Sequence, residues 1–181
     1  MFYLAVIFTA ILVIAVLHVT LFSTFLEALG CTVFATVAVV LWDGATAFFI
    51  RRLPKRWFLP ENARFRVGER ERRFYRSLKI KAWKDKVPEL GCFTGFHKNH
   101  LEDAHDREYL GRFLMESNYG VVIHLVNALA GFLIVFIPEV GVSIGLPVAS
   151  VNAVLSLMPM AILRYHTAPL LRLYERCAGK T

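Results

Sequence analysis

The sequence predicts an all-α, polytopic membrane protein. Four transmembrane helices form two hairpins, with a cytosolic amphipathic helical segment between spans two and three. Three observations predict this. The 181 residues are 56% hydrophobic with a mean hydropathy of +0.51, too apolar for an ordinary soluble domain. The apolar residues come in long runs rather than at amphipathic spacing, which is the pattern of membrane spans. The charge is also concentrated in the middle. Of 21 Lys and Arg, four (Arg164, Arg172, Arg176, Lys180) follow Tyr119 and none precedes Arg51, which leaves 17 between Arg51 and Tyr119.

Taken in order, residues 1–50 form the first hairpin. Span one covers Phe2 to Leu26, with His18 its strongly polar residue, and a turn is expected at Glu27 to Gly30. Span two covers Cys31 to Ile50 and contains Asp43. Arg51, Arg52, Lys55 and Arg56 then stop transfer, and Trp57 and Phe58 suit an interface. The start lacks a positive n-region and its apolar run is too long for a signal peptide, so it reads as a retained span. Residues 51–119 form a basic interfacial segment. It is too rich in Trp, Phe, Tyr and Leu to stay disordered. Glu69 to Lys86 reads as one amphipathic helix with Phe74, Tyr75, Leu78 and Ala82 on a shared face. A second helix is expected from His100 to Ser117, with Gly120 inviting a break after it. Residues 120–163 form the second hairpin: span three to Ile137, a turn at Pro138 to Gly141, and span four to Leu163, with kinks expected at Pro147 and Pro159. Residues 164–181 form a basic tail. The positive-inside rule puts both termini and the central segment in the cytosol of a multi-pass cell-membrane protein.

Composition excludes several functions. The net charge of +7 raises nucleic acid as a partner. The basic residues adjoin predicted spans, however, where anionic head groups attract each by about 1 kcal/mol, so membrane lipids are the expected partner and nucleic acid is not. Cys31, Cys92 and Cys177 show no CxxC or zinc spacing, and no disulfide is expected. No phosphate loop, GxSxG elbow or dinucleotide fingerprint is present. The polar run from His97 through Lys98, His100, Glu102, Asp103, His105 and Asp106 lacks metal-site spacing and reads as a solvated face, so no metal is expected.

Four positions carry candidate chemistry. Asp43 is a carboxylate inside a span, which marks an intramembrane polar site; the alternative is a group satisfied by water or an Arg near the cytosolic end. His124 suits a general base at the membrane boundary; the alternative is a tether between helices, with Asn127 or His18 as partner. Glu116 precedes His124 by eight residues, about 12 Å of rise and about 80° of rotation on a continuous helix, so the two form no direct dyad unless the helix breaks at Gly120. Asp85 either orients a His or basic group or is an i, i+4 partner of Lys81.

The segment Glu71 to Tyr75, then Leu78 to Pro88 with its Ile-Lys-x-Trp-Lys-Asp-x-x-Pro core, then Gly91, Phe96, Lys98, Leu101, Glu116 and His124, resembles a known family. It is similar to the glycosyl-4,4'-diaponeurosporenoate acyltransferases, small bacterial integral-membrane proteins. An arginine and a second acidic residue of that family's pattern fall on Tyr119 and Val121. The resemblance implies transfer of a fatty acyl group, from acyl-CoA as co-substrate, to a hydroxyl of a lipid-linked sugar, a glycolipid or a glycosyl carotenoid. No bound cofactor is implied. His124, Glu116 and Asp85 become catalytic candidates. Arg73, Lys81, Lys84 and Lys98 are placed to hold phosphates of the donor or an anionic head group, with Tyr75 and Trp83 beside them as substrate-binding candidates. Two other readings compete. A non-enzymatic subunit would dock a partner or anionic lipid through the basic segment. A small lipid transporter would use Asp43, His124 and Asn152, and would need a homo-oligomer to enclose a path.

Overall fold

The computed structural model describes residues 2–22, 24–87 and 105–178. Among them every regular element is a helix. The α-helices are α1 (Phe2–Leu17), α2 (Phe25–Ile50), α3 (Glu69–Ser77), α4 (Ile80–Trp83), α5 (Arg107–Ala130) and α6 (Gly141–Ala178), joined in places by single 3-10 turns. Three helical stretches are long and apolar enough to cross a membrane: Phe25–Ile50, Arg107–Phe136 and Gly141–Cys177. Four were expected. The missing one is α1, whose 16 residues reach only about 24 Å against a hydrocarbon core of about 30 Å.

The first predicted span stops short for a local reason. His18 ends the helix by donating from Nδ1 to the Ile14 carbonyl at 2.8 Å, and a 3-10 turn, Val19–Leu21, follows. Thr24 then caps α2. Its hydroxyl accepts from the Glu27 amide at 3.2 Å while the Glu27 carboxylate accepts from the Thr24 amide at 3.3 Å. This reciprocal capping box makes Glu27 the third residue of a helix. The turn expected at Glu27 to Gly30 is therefore helical, and the reversal lies just before it.

The chain divides into two compact units. The first comprises residues 1–51 and 123–158. Its core joins Ile14 of α1, Ala35 and Val39 of α2, Ile134 of the 3-10 segment Gly131–Phe136, and Ile144 and Val148 of α6. Gly145 allows a close backbone approach: a Cβ there would sit 3.0 Å from the Val135 Cα. Gly141 opens α6 at φ +61, a conformation that glycine adopts without strain. Phe8, Leu41, Phe49, Leu133 and Phe136 are exposed on this unit, as lipid-facing side chains are.

The second unit comprises residues 52–122 and 159–181. Phe58 and Tyr119 stack at 3.8 Å between ring centres, both buried. The Tyr119 hydroxyl donates to the Leu53 carbonyl at 3.3 Å, and the Asn118 amide donates to the Phe58 carbonyl at 2.9 Å. Tyr119 and Val121, the two departures from the family pattern, are thus buried packing residues.

The amphipathic helix expected over Glu69 to Lys86 is not one helix. It breaks at Lys79, which takes the left-handed conformation at φ 50, ψ 40. Such a residue costs roughly 1–2 kcal/mol. The break lets Ile80 bury to 1% exposure against Tyr75 and Ala161, and burying such a side chain is worth about 1.5–3 kcal/mol. Burial therefore outweighs the strain. The expected shared face dissolves: Tyr75 is buried, while Phe74 and Leu78 stay exposed.

The helix expected from His100 begins at Arg107, with residues 100–104 outside the described part. The Asp106 carboxylate accepts from the Glu108 amide at 2.8 Å and so closes its first turn. α5 then runs unbroken through Gly120. α6 likewise runs through Pro147 and Pro159 and past Leu163 to Ala178, so most of the expected tail is helical.

Candidate functional site

The second unit gathers a polar cluster around Arg164. This residue follows the apolar run of α6 and its side chain is only 12% exposed. Its Nε and Nη2 donate to the two carboxylate oxygens of Glu71 on α3, each at 2.7 Å. Its Nη1 donates to the Phe65 carbonyl at 2.8 Å, and Nη2 also reaches the Arg66 carbonyl at 3.4 Å. A planar guanidinium suits this bidentate grip and lysine does not. One side chain thus ties α6, α3 and the 3-10 turn Ala63–Phe65 together.

Tyr75 lies against this pair. It packs with Ile80 and Ala161, with Trp83, Ile162 and Tyr165 around them. Burial first, and then the Glu71 carboxylate, push its phenol above the ordinary tyrosine range, while Arg164 works the other way. Tyr75 therefore keeps its proton. Trp83 donates from Nε1 to the Leu78 carbonyl at 3.0 Å, which fixes the indole beside the chain break. Lys84 and Asp85 form an ion pair at 3.1 Å. Residues Lys84–Lys86 are a 3-10 turn, so Asp85 pairs with its neighbour and not with Lys81 in an α-helical register. The charges of Lys84 and Asp85 both act on the half-buried imidazole of His166, which stands edge-on to the Tyr165 ring.

The structure thus brings together four of the predicted residues: Tyr75, Trp83, Lys84 and Asp85. It adds Glu71, Arg164, Tyr165 and His166, which the sequence reading did not single out as site residues. Arg73 is exposed on α3, 3.9 Å from Glu69, and Lys81 is exposed on α4. Lys98 lies outside the described residues, as do His97, His100, Glu102 and Asp103. Glu116 and His124 are both half-buried on α5. Because α5 is continuous at Gly120, their eight-residue separation is about 12 Å of rise, and they form no direct dyad.

Asp43 belongs to the first unit. The Asn152 amide lies 3.4 Å from an Asp43 carboxylate oxygen and 3.4 Å from the Asn127 carbonyl. This links α2, α5 and α6 by polar contacts inside the apolar layer, and the Asn127 side-chain oxygen is buried without a partner. His18 is taken up by its own helix end.

Residues 54–176 match the family of glycosyl-4,4'-diaponeurosporenoate acyltransferases, well over half of the chain. The chain belongs to this family. It is a membrane acyltransferase of carotenoid-related chemistry. The match contains the whole Glu71–Arg164 cluster, Glu116, His124 and His166, and excludes α1, α2 and Asp43. No curated protein and no solved structure matches the acyltransferase.

Proposed function

We propose that the acyltransferase moves a fatty acyl group from acyl-CoA to a hydroxyl of a lipid-linked sugar, either a glycosyl carotenoid or a glycolipid. The observation that carries this reading is the family match over residues 54–176, which coincides with the cluster built by α3, α4 and α6.

The chemistry needs three things. An imidazole removes the proton of the acceptor hydroxyl as its oxygen attacks the thioester carbonyl. The new C–O bond forms, the C–S bond breaks, and the proton passes to the departing CoA thiolate. His124 is the base that the family pattern implies. His166 is the imidazole on which Lys84 and Asp85 act. Exposed Arg73 and Lys81, with Lys84 and Lys98, neutralise the phosphates of the donor. Trp83 holds the donor side at the interface, Tyr75 keeps the cluster in register, and Glu116 orients the acceptor. Asp43 serves as a helix tether, so Asp43→Asn retains transfer; loss of transfer in a folded Asp43→Asn would contradict the purely tethering role.

Residues 51–119 and the C-terminal end of α6 carry the basic charge and face the cytosol in this reading. The N-terminus joins them there if the bilayer thins around the short α1.

The test is transfer of the radiolabelled acyl group of acyl-CoA to a glycosyl carotenoid by enzyme in lipid nanodiscs. His124→Ala is expected to lower kcat by about 10²–10⁴-fold. If His166→Ala does so and His124→Ala does not, the base is His166. Transfer that survives both substitutions rules out both His124 and His166 as the base.

A further inference from the structure

We propose that a cleft on the second unit, separate from the Glu71–Arg164 cluster, binds the sugar head group of the acceptor. The proposal rests on the acyltransferase reading and names where its acceptor sits. The cleft lies between the 59–61 turn, the first three turns of α5 and Tyr174 near the end of α6. Its volume is about 640 Å³, within the range of small-ligand sites.

The lining decides the ligand class. Glu61, Asp106, Glu108, Arg107 and Arg112 all line the cleft, three negative groups and two positive, a net charge of −1. The charges are also engaged with one another. The Tyr174 hydroxyl donates to Glu61 at 2.5 Å, Arg107 lies 5.0 Å over the Tyr174 ring, and Arg112 is paired with Glu108. A phosphate-bearing donor gains nothing from such a surface, whereas the exposed Arg and Lys of α3 and α4 suit it. A polyol is different. Each sugar hydroxyl both donates and accepts. The Glu61 and Glu108 carboxylates, with two oxygens each, can accept from a ligand beside their present partners, and a guanidinium offers five N–H donors. Leu59 and Met115 supply apolar surface for the C–H face of a sugar ring. Met115 is followed by Glu116, the residue proposed to orient the acceptor. Donor and acceptor head group thus have separate places on this unit, distinguished by charge.

Gly111 is the natural lever. A Cβ at this position would meet Tyr174 Cε2 at 3.2 Å, so a larger side chain must enter the cleft or displace the ring. Gly111→Leu therefore blocks the cleft, and Glu61→Gln removes one charge while keeping the shape.

The experiment uses the full chain in nanodiscs and measures KM separately for the glycosyl carotenoid and for acyl-CoA. Both variants are expected to raise KM for the glycosyl acceptor by about tenfold or more, with KM for acyl-CoA unchanged. Saturation-transfer NMR with methyl β-glucopyranoside is run in parallel, and its signal is expected for the wild type and lost in Gly111→Leu. A rise in the KM for acyl-CoA alone, or no change in either KM, overturns the proposal. If the wild type transfers no acyl group, the acyltransferase reading fails and the NMR judges the cleft by itself: a wild-type signal abolished by Gly111→Leu upholds a sugar site, and no wild-type signal overturns it.

Discussion

Arg164 places all three of its guanidinium nitrogens on protein partners, which makes it an exacting residue of the second unit. Arg164→Ala leaves the Glu71 carboxylate and two carbonyls without their donor and is expected to cost about 3 kcal/mol. Thermal unfolding in detergent checks this, and Arg164→Lys recovers only part of the loss because it cannot grip both oxygens. Tyr75 makes a separate prediction about pH. Its folded-state pKa lies above the ordinary value of 10.0, so the folded state holds its proton more tightly than the unfolded chain does. That contribution is complete below pH 10 and is lost as pH rises through the raised pKa. Stability measured from pH 9 to 12 is expected to fall less steeply in Tyr75→Phe than in the wild type. Neither Arg164 nor His166 was legible as a site residue. Arg164 meets Glu71 across 93 positions of sequence, and no local spacing rule reaches that far. By contrast Tyr75, Trp83, Lys84 and Asp85 stand within one short stretch, where their pattern could be read.

The break between α3 and α4 belongs to the scale of elements. Lys79 is a non-glycine residue in the left-handed region, and nothing in a lysine announces it. The sequence therefore read as a single helix. Lys79→Gly is expected to be neutral or slightly stabilising because glycine adopts this conformation freely. Lys79→Val is expected to destabilise by about 1–2 kcal/mol and to release Ile80 from its pocket. Quenching of Trp83 fluorescence reports the change, since its indole is bonded across the break. The end of α1 illustrates the opposite case. The capping pattern Thr24-x-x-Glu27 stands in the sequence, but it is embedded in an apolar run that includes Val19, Leu21 and Phe22. Hydropathy carries straight through a turn whose own residues are apolar. The positions of α2, α5 and α6 were readable because their runs are long enough to register whatever their ends do.

At the scale of the whole molecule, the placement of charge was the clearest signal and the number of crossings the weakest. The proposed cytosolic side of the basic segment predicts that, in a chain with its own three cysteines replaced, a cysteine introduced at Arg70 reacts with impermeant thiol reagents only in inside-out vesicles. The account turns, however, on the reaction itself. The most direct measurement is comparative lipidomics by mass spectrometry on a deletion strain, on that strain restored with the wild type, and on the strain restored with His124→Ala at equal expression. The account predicts that one lipid-linked sugar loses the mass of a fatty acyl group in the deletion, regains it with the wild type, and does not regain it with His124→Ala. A lipid profile in which no acylated glycoside differs between deletion and wild type would contradict it.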